Sequence, residues 1–162
     1  MRTPLLLSVF ATVFALSCSS TDGADPAACV DYTPPSTFDA QNPKISFKTD
    51  IMPILKQSCQ FSSCHGNQAN KNYVYLGGTD SSAIIQGIVN VKAGQAPGLS
   101  YVAPNDPHAS FLMRKMDGSQ CAMTADCKDK ECGVSMPKGS TPLPVDTRDK
   151  VRRWIAQGAA DN

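Results

Sequence analysis

The run Cys59-Gln60-Phe61-Ser62-Ser63-Cys64-His65-Gly66 is where this sequence concentrates chemistry. Two cysteines with a histidine directly after the second form the residue set that attaches a c-type haem. Each thiol can form a thioether to one vinyl edge of the porphyrin. The imidazole that follows is then restricted to one face of the iron, as its proximal ligand. Four residues separate the cysteines where the common motif has two, so a longer loop bulges between the anchors. The competing reading is an ordinary Cys59–Cys64 disulfide, which leaves the adjacent His65 without a role.

An iron held from one side by His65 calls for a second axial ligand, distant in sequence and soft enough to favour the ferrous state. Met136, followed by Pro137 in a loop about 70 residues later, is the leading candidate. A thioether there raises the reduction potential relative to a second imidazole. Met113, Met116 and Met123 are rivals. The first two fall on or beside a predicted helix, where packing is the expected job, and Met52 precedes the motif too closely to reach the opposite face. His108 is the only other histidine and follows Pro107 at a predicted helix start, which places it in solvent.

The other cysteines are explained by compartment. Met1-Arg2, a short apolar run from Leu5 to Phe14, and Ala15-Leu16-Ser17-Cys18 resemble a lipoprotein leader over residues 1–17, with Cys18 the lipid-bearing residue. The apolar run is too short for a helix that spans a bilayer, which needs about 20 residues. If Cys18 carries lipid and Cys59 and Cys64 carry haem, Cys29, Cys121, Cys127 and Cys132 remain of the seven. Four thiols in an oxidising compartment close as two disulfides, Cys29 joining one of the other three. A zinc site over 121–132 fits less well, because the spacings are loose and no second histidine is near.

Lys and Arg number 15 against 14 for Asp and Glu. Without the leader the balance is zero, so the basic field that nucleic-acid binding needs is missing. Lys128-Asp129-Lys130-Glu131 and Arg152-Arg153 read as solvated faces.

These side chains have to be positioned by few elements. Residues 18–43 are rich in Ser, Asp and Pro and read as a flexible tether, with Cys29 tying it back to the domain. Over 44–162, apolar spacing predicts four short helices. The first is capped by Thr49 or Asp50 with Pro53 in its first turn. The second runs from Ser81 to Val89 under Thr79 or Asp80, with Ala83, Ile84, Ile85, Ile88 and Val89 facing the core. The third runs from Pro107 to Lys115 under Asp106. The fourth is capped by Asp146 or Thr147, buries Val151, Trp154 and Ile155, and stops at Gly158. Between the third and fourth lies a Gly/Pro/Cys-rich loop, 117–145. No run alternates long enough to make a strand. The fold class is all-α: several short helices and long loops that need something besides their own side chains at the centre.

The ordered set Phe47…Ile51-Met52-Pro53-Ile54-Leu55…Cys59…Cys64-His65-Gly66, Val102-Ala103-Pro104-Asn105-Asp106-Pro107…Ser110-Phe111-Leu112, Met136-Pro137 and Trp154-Ile155-Ala156-Gln157-Gly158-Ala159 resembles the cytochrome c-like domains of bacterial envelope proteins over about 44–160. The resemblance implies one haem c bound through Cys59 and Cys64, with His65 and Met136 as iron ligands. It also implies first and last helices that cross beside the haem, with Trp154 packed at the crossing. The disulfide-stapled loop is additional to that pattern. The function implied is single-electron transfer between redox partner proteins of the envelope, an electron carrier rather than a catalyst, held through an N-terminal lipid on the periplasmic side or at the outer membrane. The alternatives are a haem-free, disulfide-stapled lipoprotein with a binding or structural role, and a haem enzyme or sensor with an open iron position. The latter lacks a distal acid–base constellation in the sequence.

Overall fold

The computed structural model of the chain describes residues 29, 31–69 and 74–162. The expected leader and Cys18 lie outside the described residues. Among these residues the regular structure is helical and contains no strand; three isolated bridges, Val89–Val102, Lys92–Ser100 and Ser100–Ser110, pin the long connection between the second and third helices.

The first helical stretch starts earlier than the sequence predicts. Ser46 caps it, its Oγ accepting from Thr49 N at 3.3 Å, and Asp50 reaches back to accept from Ser46 N at 2.9 Å. Asp50 therefore serves the cap from inside the helix. The opening turn, Phe47–Ile51, is wound as a π-helix, with Met52 N donating to Phe47 O, and passes into α1, Met52–Ser58. Pro53, having no N–H, sits in the first turn of α1, where no donor is missed.

Helix α2, Ser81–Ile88, is capped by Asp80, whose side chain accepts from Ser82 N and Ala83 N. Ile84 and Ile88 are buried, whereas Ala83, expected inward, faces solvent. Helix α3, Phe111–Asp117, begins four residues later than predicted. Asp106 accepts from Ala109 N in a local turn, and Ser110 stays extended. The Ser110 hydroxyl donates to Asp106 O at 2.8 Å and accepts from Ala103 N at 2.8 Å, so these side-chain bonds take the place of a helical turn.

Helix α4, Val145–Ala156, starts at Pro144, slightly before the expected caps. Val151, Trp154 and Ile155 are buried as predicted. Gly158, at φ +100°, ends the helix with a left-handed turn that a side chain would strain. Trp154 packs its ring 5.1 Å from that of Phe47, so the first and last helical segments meet at an aromatic pair. Gln157 fastens the same junction: its Oε1 accepts from Ile45 N, and its Nε2 donates to the carbonyls of Ala40 and Pro43.

The loop at 117–145 is shaped by 3-10 turns at Gln120–Asp126 and Lys128–Lys130 and by a Cys127–Cys132 disulfide. A second disulfide, Cys29–Cys121, ties the N-terminal segment to that loop. Both pairs come from the four cysteines expected to be bridged. Residues 31–43, read as part of a flexible tether, lie against the domain: the Tyr32 ring sits under Arg148 and Arg152, and Arg153 Nε donates to Asp39 O.

Arg152 corrects the sequence reading. It is 4% exposed rather than solvated. Its Nη2 meets Asp117 Oδ2 at 2.6 Å and its Nη1 pairs with Asp149, while Arg148 pairs with the other Asp117 oxygen. Two guanidinium groups and two carboxylates cancel inside the fold, which is what allows charges to be buried at all. Arg153 and the 128–131 charges do lie nearer the surface.

Candidate functional site

Helix α1 delivers Cys59 at its C-terminal end, where Cys59 N and Gln60 N both donate to Leu55 O. The chain then closes on itself. Cys64 N and Gly66 N donate to Phe61 O at 2.8 and 3.0 Å, and His65 N donates to Cys59 O at 3.2 Å. The two extra residues between the cysteines are absorbed by this turn, so both sulfurs and the imidazole remain on one short structure. Gly66 is required for the closure: a Cβ there would lie 2.1 Å from Gln60 O.

The orientation of His65 is set by the segment after it. Leu76 N donates to His65 O at 2.9 Å, and His65 Nδ1 lies 3.0 Å from Val74 O. A carbonyl only accepts, so Nδ1 carries a proton, and in the neutral ring Nε2 then keeps its lone pair. That is the tautomer of a histidine prepared to ligate through Nε2, with its other nitrogen held by a backbone carbonyl.

Cys59 and Cys64 are the two free cysteines among the described residues, both half-buried. Cys127 and Cys132 stand at the same sequence separation, 5, and are bridged. Burial, and then the neighbouring Cys64, push the Cys59 thiol up to about 11. A thiol held neutral at physiological pH is unsuited to nucleophilic or redox-thiolate work. Gln60, between the two cysteines, has a buried Nε2 with no hydrogen-bond partner among the described residues. Among the described residues the loop thus holds two thiols outside any disulfide, an imidazole held by Val74 O and a buried amide without a partner.

Met136 is positioned separately. It is half-buried, and its N–H donates to Lys115 O at 2.8 Å, which fastens the Met136-Pro137 segment to α3. Its rivals have packing roles: Met113 and Met116 are 2% and 3% exposed on α3, Met52 is 6% exposed, and Met123 packs at the core's edge. His108 is exposed, as expected, but meets Asp31 at 3.1 Å through Nε2. No three His, Cys, Asp or Glu side chains gather as a metal-holding group among the described residues, and closure of Cys127–Cys132 and Cys29–Cys121 disposes of the zinc reading of that loop.

One chemically distinctive residue escaped the sequence reading. Lys115 is 7% exposed, and its ammonium donates to Cys132 O at 2.7 Å and lies 5.6 Å from the Phe111 ring centroid. Burial pulls it down to about 8. The available signal was its position four residues after Phe111, on the same face of α3.

No protein-family model, curated protein or solved structure matches this chain.

Proposed function

We propose that the chain is a mono-haem c-type cytochrome of a bacterial envelope, anchored through lipid on Cys18 and passing single electrons between redox partner proteins. The observation that carries this reading is the Cys59–Gly66 turn, in which two thiols outside any disulfide precede an imidazole whose Nδ1 is committed to Val74 O. When bound, haem c supplies the one-electron couple. Cys59 and Cys64 would hold it covalently, His65 would ligate from the α1 side, and Met136 would ligate from the segment fastened to α3. The Val74 carbonyl keeps the imidazole basic and fixed in its plane, which favours the oxidised iron. A Met136 thioether favours the reduced iron, and the balance of the two sets the potential. The Phe47–Trp154 junction supports the cytochrome c-like arrangement, since it brings the first and last helices together with the aromatic at their meeting point.

The test is intact mass and absorption of the chain matured in a host with haem-attachment machinery. One covalent porphyrin and a sharp reduced alpha band support electron transfer. A high-spin ferric spectrum replaces it with the open-site haem protein. Absence of added porphyrin leaves the haem-free lipoprotein.

A further inference from the structure

Helix α3 carries an ammonium where its other buried side chains are apolar. Phe111, Met113 and Met116 are buried on this helix, and Lys115 is buried with them. Taking an ammonium out of water is costly unless its donors are answered. Among the described residues no carboxylate pairs with it. Its Nζ donates instead to Cys132 O at 2.7 Å and lies over the Phe111 ring. The backbone of the same residue is engaged as well, its carbonyl accepting from Met136 N at 2.8 Å. One residue of α3 therefore grips the chain at both ends of Cys132–Met136.

That segment has little else to place it. It lies in no helix; Gly133 and Val134 are exposed, and Ser135 and Met136 are half-buried. Cys132 is fixed by its disulfide to Cys127. Between the two ends the buried Gln120 side chain adds one support. With its amide oriented so that both ends are answered, it donates to Arg114 O at 3.1 Å and accepts from Ser135 N at 3.0 Å. Among the described residues, Lys115 and Gln120 supply the hydrogen bonds that join 132–136 to the rest of the fold. Gly133, at φ +69°, lets the chain pass close to the ammonium: a Cβ there would lie 3.1 Å from Lys115 Nζ and 3.0 Å from Gln95 Nε2. No side chain after Cys132 is fully buried, so these bonds, and not packing, set where Met136 stands.

We propose that Lys115 is the positioning residue for Met136, bracketing Cys132–Met136 from α3 so that the thioether is held in one place. The proposal rests on the reading of Met136 as the axial ligand. A neutral thioether binds ferric iron weakly, so the placement of the chain that carries it is what keeps it there. An aliphatic residue at position 115 would fill the same space and leave the Cys132 end of the segment unheld. The ammonium is the feature that packing alone does not call for.

The experiment uses the mature, haem-loaded, full-length protein beside Lys115→Met, Lys115→Arg and Met136→Ala. Lys115→Met keeps the unbranched stem and removes the donor, a trade of buried charge for apolar bulk that folds commonly tolerate. Amide exchange reads Ser135 and Met136, titration of the ferric protein with imidazole reads how firmly the thioether is held, and denaturant unfolding reads the fold. In Lys115→Met, exchange at Ser135 and Met136 should rise about tenfold, the factor for one lost charge-assisted hydrogen bond, while α1 and α4 keep their protection. Imidazole should bind about tenfold more tightly, and the reduction potential should fall toward that of Met136→Ala. Lys115→Arg keeps a cationic donor and should recover most of both. An imidazole affinity and potential unchanged in Lys115→Met overturn the proposal; a lower unfolding midpoint beside them makes Lys115 a staple of the fold alone. If Met136→Ala binds imidazole no more tightly than the wild type, the ligand reading has failed and takes the proposal with it, and exchange at Ser135 and Met136 still reports whether the bracket holds the segment. If Lys115→Met yields no folded protein, Gln120→Met cuts the bond to Ser135 beside the Lys115 contacts, and unchanged exchange and imidazole affinity there overturn the proposal.

Discussion

The imidazole Nδ1 of His65 lies 3.0 Å from the carbonyl oxygen of Val74, nine residues further along the chain. This contact decides which ring nitrogen is free, and hence what His65 can do. Without it the histidine beside Cys64 would be a ring of undefined tautomer on a turn; with it, the neutral ring offers the lone pair of Nε2. The segment 74–76 is thus as much a part of the site as the cysteines.

Replacement of His65 by Ala should leave the thioethers possible but abolish low-spin ferric and ferrous spectra, because the axial nitrogen is gone. Cys59→Ser and Cys64→Ser should each drop the covalent attachment to one bond, and the double variant should carry none. Acid–acetone extraction followed by intact mass distinguishes these outcomes. Full retention of porphyrin in the double variant is incompatible with the proposed site.

Met136→Ala should remove the weak long-wavelength band expected of ferric His/Met ligation and lower the reduction potential, since the soft ligand favours ferrous iron. The fold should survive, as Met136 is only half-buried and its backbone bond to Lys115 O persists. Persistence of the band would transfer the sixth position to another methionine, Met123 being the least buried rival.

Asp117→Ala should be severe for stability. Asp117 satisfies Arg148 with one oxygen and Arg152 with the other, and both guanidinium groups are buried. Removing it leaves cations without partners, at a cost of about 3–5 kcal/mol. Asp149 still pairs with Arg152, so the loss should fall most heavily on Arg148. Denaturant unfolding measures it; a change below about 1 kcal/mol would contradict the burial of this network.

Phe47 and Trp154 can be tested as a pair. Trp154→Ala should cost about 3–5 kcal/mol, the range for emptying a large aromatic site. A double-mutant cycle with Phe47→Leu should return a coupling of about 0.5–1.5 kcal/mol for the ring contact itself. Additive effects would place the two rings in separate environments.

Acid should release Asp31 from Arg114 and His108 before it unfolds the domain. Desolvation raises Asp31, but hydrogen bonds from Arg114 and His108 reverse this and leave its carboxyl below the ordinary 3.8. A carboxylate with a folded value lower than its unfolded one contributes stability above the unfolded value. That contribution is lost as pH falls through the folded value. The ring-proton NMR shifts of Tyr32 should therefore move as pH falls below about 4. Asp31→Asn should remove that acid transition.

Much of this protein was written in one dimension. Sparse apolar residues at helical spacing gave short helices, and the 151, 154, 155 spacing placed Val151, Trp154 and Ile155 in the core, because those positions follow from local backbone geometry. Asp80 and Gly158 marked their helix ends through bonds to near neighbours. Even the division of cysteines into a bridged set and an unbridged pair was open to counting. Ser110 gave up a helical turn for bonds to Ala103 and Asp106, seven and four residues back. Two matters were decided only by distant parts of the chain meeting. Arg152 went inside because Asp117, 35 residues away, was there to neutralise it. Cys29 meets Cys121, 92 residues away, while Cys127 and Cys132 are bridged to each other. Local chemistry is set by neighbours a few residues away; the cost of burying a charge or leaving a thiol unpaired depends on which distant group arrives beside it, and that only the folded chain determines.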